Sequence, residues 1–474
     1  MAEYSRRARR ARRHTRRQVT GAALAAGGAA ALASCGAAGS GGEGSVKAGG
    51  SGKPVTLRVG ARAAAVTGNP SWEEFQAAKK LFESKYPNIT VDITPDMNSE
   101  KMLAAASAGE AWDVQDLCCD QLPLEARAGI LMKLDPFIKK GMKDADVKDW
   151  IEWQYKYFNI DGGQYGIGKY MGTTALYYNK EWFRSKGVAF PDETWDWNKY
   201  RDAMIKLTDL PNKKFGINLL GHLGTTGQTM SPDRRQAKVH QNGGNFVDPK
   251  NDLKSMLDSP KTIEAFEWIH ARIWKDHASF QPEELPGYPS SILNTRLQFA
   301  QGHVAMWEDG SWSLVPLMQD KPNFDWDVVT LPRGPVQRDV LATTDGWAMW
   351  SGTKSVDDAW LLFSWFNSDD WYGIQSKRLQ PARISWLSKW QTMLVEANPE
   401  LKGKNFKAFT MGPEQGFARP WELQRYHAAT HPMIQQAFEE SVTRNQKPVK
   451  DTHVEVARQV NEIQAKEHAA KGGR

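Results

Sequence analysis

The chain has 474 residues, of which 24% are charged and 41% hydrophobic, with 20 tryptophans, 3 cysteines and a formal net charge of +6. Residues 1–34 hold 8 of the 61 basic and 1 of the 55 acidic side chains, leaving 53 against 54 in the remainder. That near-neutral body removes the electrostatic case for nucleic acid or a strongly anionic ligand, and its two cysteines, Cys118 and Cys119, exclude a disulfide scaffold and leave burial as the source of stability.

The first 17 residues hold eight arginines and end in Arg16-Arg17; a weakly apolar Ala/Gly run from Ala22 to Ala33 follows. A basic stretch, a short apolar stretch and small residues describe an export signal over 1–34, too short and too weakly apolar to span a bilayer. Leu32-Ala33-Ser34-Cys35 resembles the lipobox of bacterial lipoproteins. It implies lipidation of Cys35 and attachment to the extracellular face of the cytoplasmic membrane. The arginine pair resembles a twin-arginine signal, although Val19-Thr20 stands where that pattern has a bulkier apolar pair. Residues 35–54, nearly all Gly, Ala and Ser, form a flexible tether.

The body opens with a strand in which Val55, Leu57 and Val59 alternate. Ser71 and Glu74 form a capping box for a helix that places Trp72, Phe75, Ala78 and Phe82 on one face. Ile89, Val91 and Ile93 alternate as the next strand, completing a βαβ unit and hence parallel pairing. A helix is expected over 100–108, a strand over 113–117 and a helix over 122–129. Later helices are expected over 197–207, over 261–274 after Ser259-Pro260, and over 356–366 capped by Ser355. Strands alternating with helices give an α/β architecture, in which ligands bind beyond the carboxyl ends of the strands.

Short segments then follow in a distinctive order: Ala108-Gly109 before Trp112-Asp113-Val114, and Gly129-Ile130-Leu131 with Leu134-Asp135. Tyr165-Gly166-Ile167 leads to the stretch from Gly172 to Lys180, followed by Thr194-Trp195-Asp196, Asn242-Gly243-Gly244, Phe299 to Met306, Leu331 to Pro335 and Gly346-Trp347-Ala348. This order resembles that of the type 1 extracellular sugar-binding proteins of ABC importers, with Trp112 where the family usually has proline. The resemblance implies a two-lobed periplasmic-binding-protein fold of type II, similar to maltose-binding protein, with hinge crossovers. Lobe 1 would comprise 55–170 and 340–385, and lobe 2 would comprise 171–339 and 386–474. It also implies a monomer, a carbohydrate ligand, an ABC permease as partner, and neither cofactor nor metal.

A pyranose has an apolar C–H face and a polar rim, so its site requires flat aromatic rings beside fixed carboxylates and amides. Tryptophans at helical spacing, such as Trp268, Trp360 and Trp365, read as core. Those beside glycine or carboxylate in loops are candidate ligand contacts: Trp307 and Trp312 within Trp307-Glu308-Asp309-Gly310-Ser311-Trp312, Trp347 after Asp345-Gly346, and Trp421. The resemblance implies cleft positions for Glu308, Asp309, Asp120 and Gln121, and for Asp345-Gly346, where a carboxylate replaces what is often only backbone. It puts Tyr170 and Thr173 at the first crossover and Arg383 near the last. Cys118-Cys119 reads either as two buried thiols or as a strained vicinal disulfide.

A secreted carbohydrate-active enzyme is the rival class. Its two carboxylates would have to face each other across a cleft, whereas the acidic pairs here are adjacent in sequence. No His-Glu-x-x-His, Gly-x-Ser-x-Gly or phosphate-loop pattern is present. A receptor for a non-sugar solute is the other alternative, and the aromatic load favours sugar over it.

Overall fold

The structure, a computed structural model, describes residues 50–118, 120–220, 235–284 and 295–472. The expected signal, Cys35, most of the tether and Cys119 lie outside the described residues.

Strand β1 (Val55–Gly60) buries Leu57 and Val59 completely. Helix α1 (Pro70–Lys85) then packs Phe75, Ala78 and Phe82 inward. Its cap differs from the expected box: Asn69 accepts from the N–H groups of Ser71 and Trp72 at 3.0 and 3.3 Å, with Pro70 at the first helical position. Ser71 and Glu74 instead meet Arg378, about three hundred residues away in the chain, a partner no local pattern could reveal. Strand β2 (Ile89–Thr94) pairs parallel to β1, as the βαβ reading requires. Helix α2 (Ser99–Ser107), strand β3 (Val114–Leu117) and helix α3 (Gln121–Arg127) follow, with β3 parallel to β1 on its other side.

Strand β4 (Ile167–Asn179) is buried along all 13 residues. Helix α4 (Trp197–Leu207), strand β5 (Phe215–Ile217), helix α5 (Gln236–Gln241) and helix α6 (Pro260–Trp274) precede strands β6 (Val304–Gly310), β7 (Trp326–Val329) and β8 (Val340–Met349). Helix α7 (Val356–Trp365), helix α8 (Ile384–Ala397) and the short strand β9 (Ala418–Arg419) come after them. The nine strands form one mixed sheet in the order β2-β1-β3-β8-β4-β6-β5, with β7 on β4 and β9 on β8.

Two large hydrophobic cores, and a smaller one around Met102, Leu122 and Phe158, draw on the strands of this sheet. The first large core gathers Leu57, Phe75, Phe82, Trp347, Trp360 and Trp371; the second gathers Tyr177, Tyr200, Phe266, Trp307, Trp390 and Phe438. Strand β4 supplies Ile167 to the first and Ala175 to Tyr178 to the second, while β8 supplies Trp347 and Met349 to the first and Val340 and Leu341 to the second. Between those contributions β4 and β8 pair antiparallel from Ile167↔Trp347 to Thr173↔Ala342, with a register shift at Asp345/Gly346. The two long strands β4 and β8 therefore run from one core to the other within a mixed α/β sheet.

Candidate functional site

The carboxyl ends of β1 and β3 carry three ion pairs. Arg62, just past β1, meets Asp345 at 2.7 Å; Asp116 of β3 meets Lys169 of β4 at 2.6 Å; Arg378 grips Glu74 of α1 through two hydrogen bonds of 2.7 and 2.6 Å. Burial alone would disfavour the Arg62 cation. The carboxylate of Asp345, with Cys118, Asp116 and Tyr170 around it, overrides that and holds its pKa well above the usual value. Every charge has one opposite partner, so the group as a whole is neutral.

Tyr170 sits opposite Asp345 in the β4–β8 ladder, and two residues further along β4 lies Gly172. The Trp312 ring rests there. A Cβ on Gly172 would come within 2.3 Å of it, and one on Gly310 within 2.0 Å, so both positions must be glycine for the ring to lie against the backbone. The turn that carries Trp312 is fixed from several sides. Asp309 accepts from the Gly310 N–H at 2.8 Å and from the Ser313 hydroxyl at 2.9 Å. Tyr177 donates to the Gly310 carbonyl at 2.8 Å, and Ser311 donates to Gln380 at 3.1 Å. Trp312 itself is half-buried. It is a flat ring on a rigid backing, next to the ion-paired floor.

The second core contributes a denser charge cluster. The Glu308 side chain, 7% exposed, meets Lys238 at 2.5 Å and Arg235 at 3.0 Å and accepts from the Tyr200 hydroxyl at 2.9 Å. Burial is the largest single influence and pushes its pKa up, but Lys238, Arg235 and these hydrogen bonds together hold it below the usual carboxylate range. Nearby, buried His240 lies between Asp339 at 3.3 Å and Glu422 at 3.0 Å. Burial works against its cation, yet the two carboxylates raise its pKa to about 9. Glu422 also accepts from the Phe246 and Val247 N–H groups at 2.5 and 3.1 Å. This fixes the backbone next to Trp421, which packs half-buried against the second core.

The remaining candidates separate into two groups. Asp120, half-buried at the start of α3, makes no side-chain cap bond to the helix, whereas the Gln121 side-chain Oε1 accepts from the Cys118 N–H at 2.7 Å. Thr173 is fully buried. Trp307 and Trp347 require correction as ligand contacts, for they are 1% and 0% exposed. Trp347 stacks on Phe366 at 3.8 Å, and Trp307 packs on Tyr177 at 4.8 Å and donates to Thr295. Strand alternation explains both, since neighbours in a strand face opposite sides. Gly346 is small because a Cβ there would strike the Phe158 ring at 2.3 Å. Arg383 is held by Asp149 at 2.6 Å and Asp369 at 3.3 Å.

Arg62, Lys169 and Arg378 were not singled out by sequence, and Glu74 was read only as a helix cap. The rule that ligands bind beyond strand ends points to Arg62, two residues past β1, but nothing local identifies the other three. Burial pushes the Glu125 carboxyl up to about 7, against hydrogen bonds from Ser99 and Gln115. Both of its oxygens are thereby engaged in the interior, in contrast to a catalytic acid presented to a cleft. Among the described residues, no group of three or more His, Cys, Asp or Glu could hold a metal ion, and no helix is long and apolar enough to cross a membrane.

A family model described as bacterial extracellular solute-binding protein matches residues 64–372. A binding protein of Brucella abortus (strain 2308) is 26% identical over 301 residues, 63% of this chain and 69% of its own. The arabinooligosaccharide-binding protein of Halalkalibacterium halodurans is 28% identical over 270 residues, 54% of this chain and 55% of its own. Among solved structures, an ABC substrate-binding protein from Listeria monocytogenes in complex with cycloalternan superposes with a TM-score of 0.73 at 20% identity. It covers 87% of this chain and 100% of that one. At that identity the likeness speaks for the fold.

Proposed function

The chain belongs to the bacterial extracellular solute-binding protein family, and from that premise we propose that it is the receptor of an ABC importer for an uncharged mono- or oligosaccharide. Residues 55–170 with 340–385, and 171–339 with 386–474, form the two jaws, hinged on β4 and β8. The jaws close on the sugar and present it unchanged to the permease. The acylated Cys35 keeps the monomer at the outer face of the cytoplasmic membrane, and the tether lets it reach the permease. What an arabinooligosaccharide-binding relative is named for supports the ligand class.

The observation that carries this reading is the Trp312 ring, backed by Gly172 and Gly310 and adjacent to Asp345 and Tyr170. A half-buried indole with one face on backbone offers the other to a C–H face, and the neighbouring carboxylates and phenol accept or donate at the hydroxyl rim. The floor charges cancel pairwise, so a neutral polyol can share them without leaving a buried charge unmatched. Asp120 and Trp421 complete the contacts, from the first and second jaw.

Thermal-shift screening against neutral mono- and oligosaccharides tests this. A ligand at a hundred times its dissociation constant adds about 2.7 kcal/mol of stability. Trp312→Ala should abolish the shift while leaving the unliganded melting temperature within a few degrees, because the ring is only half-buried and belongs to neither large core. A retained shift removes Trp312 from the site. Chromatography of the incubated sugar after a day should recover it intact; its consumption would replace the receptor reading with the enzyme one.

A further inference from the structure

The two cores are joined by more than the crossing strands. Arg127, at the end of α3, and Asp161, in the turn between the short strands 159–160 and 163–164, stand on a smaller cluster of Leu117, Leu122, Ala126 and Phe158 that shares β3 and β8 with the first core. Asp252, in the ladder formed by residues 247–248 and 251–255, and Arg425 stand on the second. Arg425 bridges both acids, at 2.9 Å to Asp161 and 3.0 Å to Asp252. Arg127 meets Asp161 at 3.0 Å and Asp252 at 4.0 Å, and donates to the Arg425 carbonyl at 2.8 Å. Positive and negative charges thus alternate around a four-membered ring, and three of its contacts run between the cores.

Each member is positioned by its own half. The Arg425 N–H donates to the Asp252 carbonyl at 3.2 Å. Its neighbours Gln424 and Tyr426 are buried, Gln424 donating to the Phe246 carbonyl at 3.0 Å. Asp161 occupies a left-handed turn at φ +48°. The two guanidinium side chains are 19% and 13% exposed while the carboxylates are 43% and 52% exposed, so the ring is accessible to salt but not freely mobile. Planar guanidinium groups hold two acceptors at once, which an isolated lysine pair would not do.

We propose that Arg127, Asp161, Asp252 and Arg425 form an ionic latch that favours the closed form before any ligand arrives, Arg127 and Arg425 acting as positioning residues for capture. This rests on the reading of the two cores as hinged jaws. A receptor whose binding-competent form is already populated binds with an apparent affinity closer to its intrinsic one, so the latch sets affinity without touching the ligand. Its contacts are electrostatic and partly solvated, so its strength falls as salt shortens the screening length from about 10 Å at 0.1 M to about 3 Å at 1 M.

Small-angle X-ray scattering of the ligand-free protein tests the latch without knowledge of the ligand. In 20 mM NaCl, the double variant Asp161→Asn with Arg425→Gln should be more expanded than wild type, its open-to-closed ratio raised roughly three- to tenfold. Wild type in 1 M NaCl should approach the variant, and Arg425→Lys should recover part of the compact form, which a merely structural loss would not do. Melting temperatures within a few degrees of wild type exclude unfolding as the source of expansion. Superimposable scattering from wild type and double variant in 20 mM NaCl overturns the latch. The jaw and sugar readings fail differently: sugar stabilisation with unchanged scattering removes only the latch. An expanded variant with no response to any sugar removes only the ligand.

Discussion

The two cores meet the proposed cleft with opposite electrostatic designs. On the first, charges are matched one to one, and the Arg62 and Asp345 side chains keep 22% and 13% exposure, so partners can be shared with an incoming hydroxyl. On the second, Glu308 serves two cations and His240 serves two carboxylates, with His240 fully enclosed. A desolvated many-centred cluster cannot release a member without stranding its partners, so it acts as a frame. The contrast separates a half whose charges are paired singly and partly exposed from one whose charges are shared and enclosed.

The sharpest way to break that comparison is Glu308→Gln, which leaves Lys238 and Arg235 without their carboxylate. A loss of about 3–5 kcal/mol in urea unfolding is expected. A loss under 1 kcal/mol would mean that the second cluster is as permissive as the first.

Next in size is the pH response of His240. Its folded pKa, raised to about 9 from an ordinary 6.5, stabilises the protein fully below about pH 6.5. That contribution disappears as pH rises through 9. The Asp339 carboxyl is itself pushed up, burial being the larger influence over its pairing with His240, which offsets part of the gain. A net fall on the order of 2 kcal/mol between pH 6.5 and 9 is expected in wild type. His240→Gln should be less stable at pH 6.5 and flatter across the window.

The smallest stability effect belongs to the first core. Asp345→Asn should cost about 1–2 kcal/mol in unfolding, because Arg62 loses its carboxylate but keeps some contact with solvent. It should nevertheless weaken sugar binding roughly tenfold or more by calorimetry, through loss of a charged acceptor. A variant that binds normally would move the specificity element away from this floor.

Much of the framework was legible in the sequence. The alternation of Leu57 with Val59 and of Ile89 with Val91 identified paired strands. The expected helix over 197–207 matches Trp197–Leu207, and that over 261–274 starts one residue earlier, at Pro260, behind the expected Ser259. The aromatic candidates were less readable. Trp307 and Trp312 belong to one six-residue stretch, yet one is core and the other lies half-buried against Gly172. Composition and loop context cannot tell them apart, since the distinction depends on which side of β6 and of its turn faces the second core.

What the sequence determined by itself is the local order: backbone period, helix starts such as Asp196 and Ser259, and the alternation that makes an α/β sheet. Each depends on residues within a few positions of one another, whose geometry the chain imposes directly. Tertiary structure decided the partnerships: that Glu74 meets Arg378 rather than capping α1, that Arg62 meets Asp345, and that Arg425 joins two acids from different cores. With 61 basic and 55 acidic side chains in one chain, charge alone leaves thousands of possible pairs. Only the packing of the two hydrophobic cores brings particular ones within reach of each other.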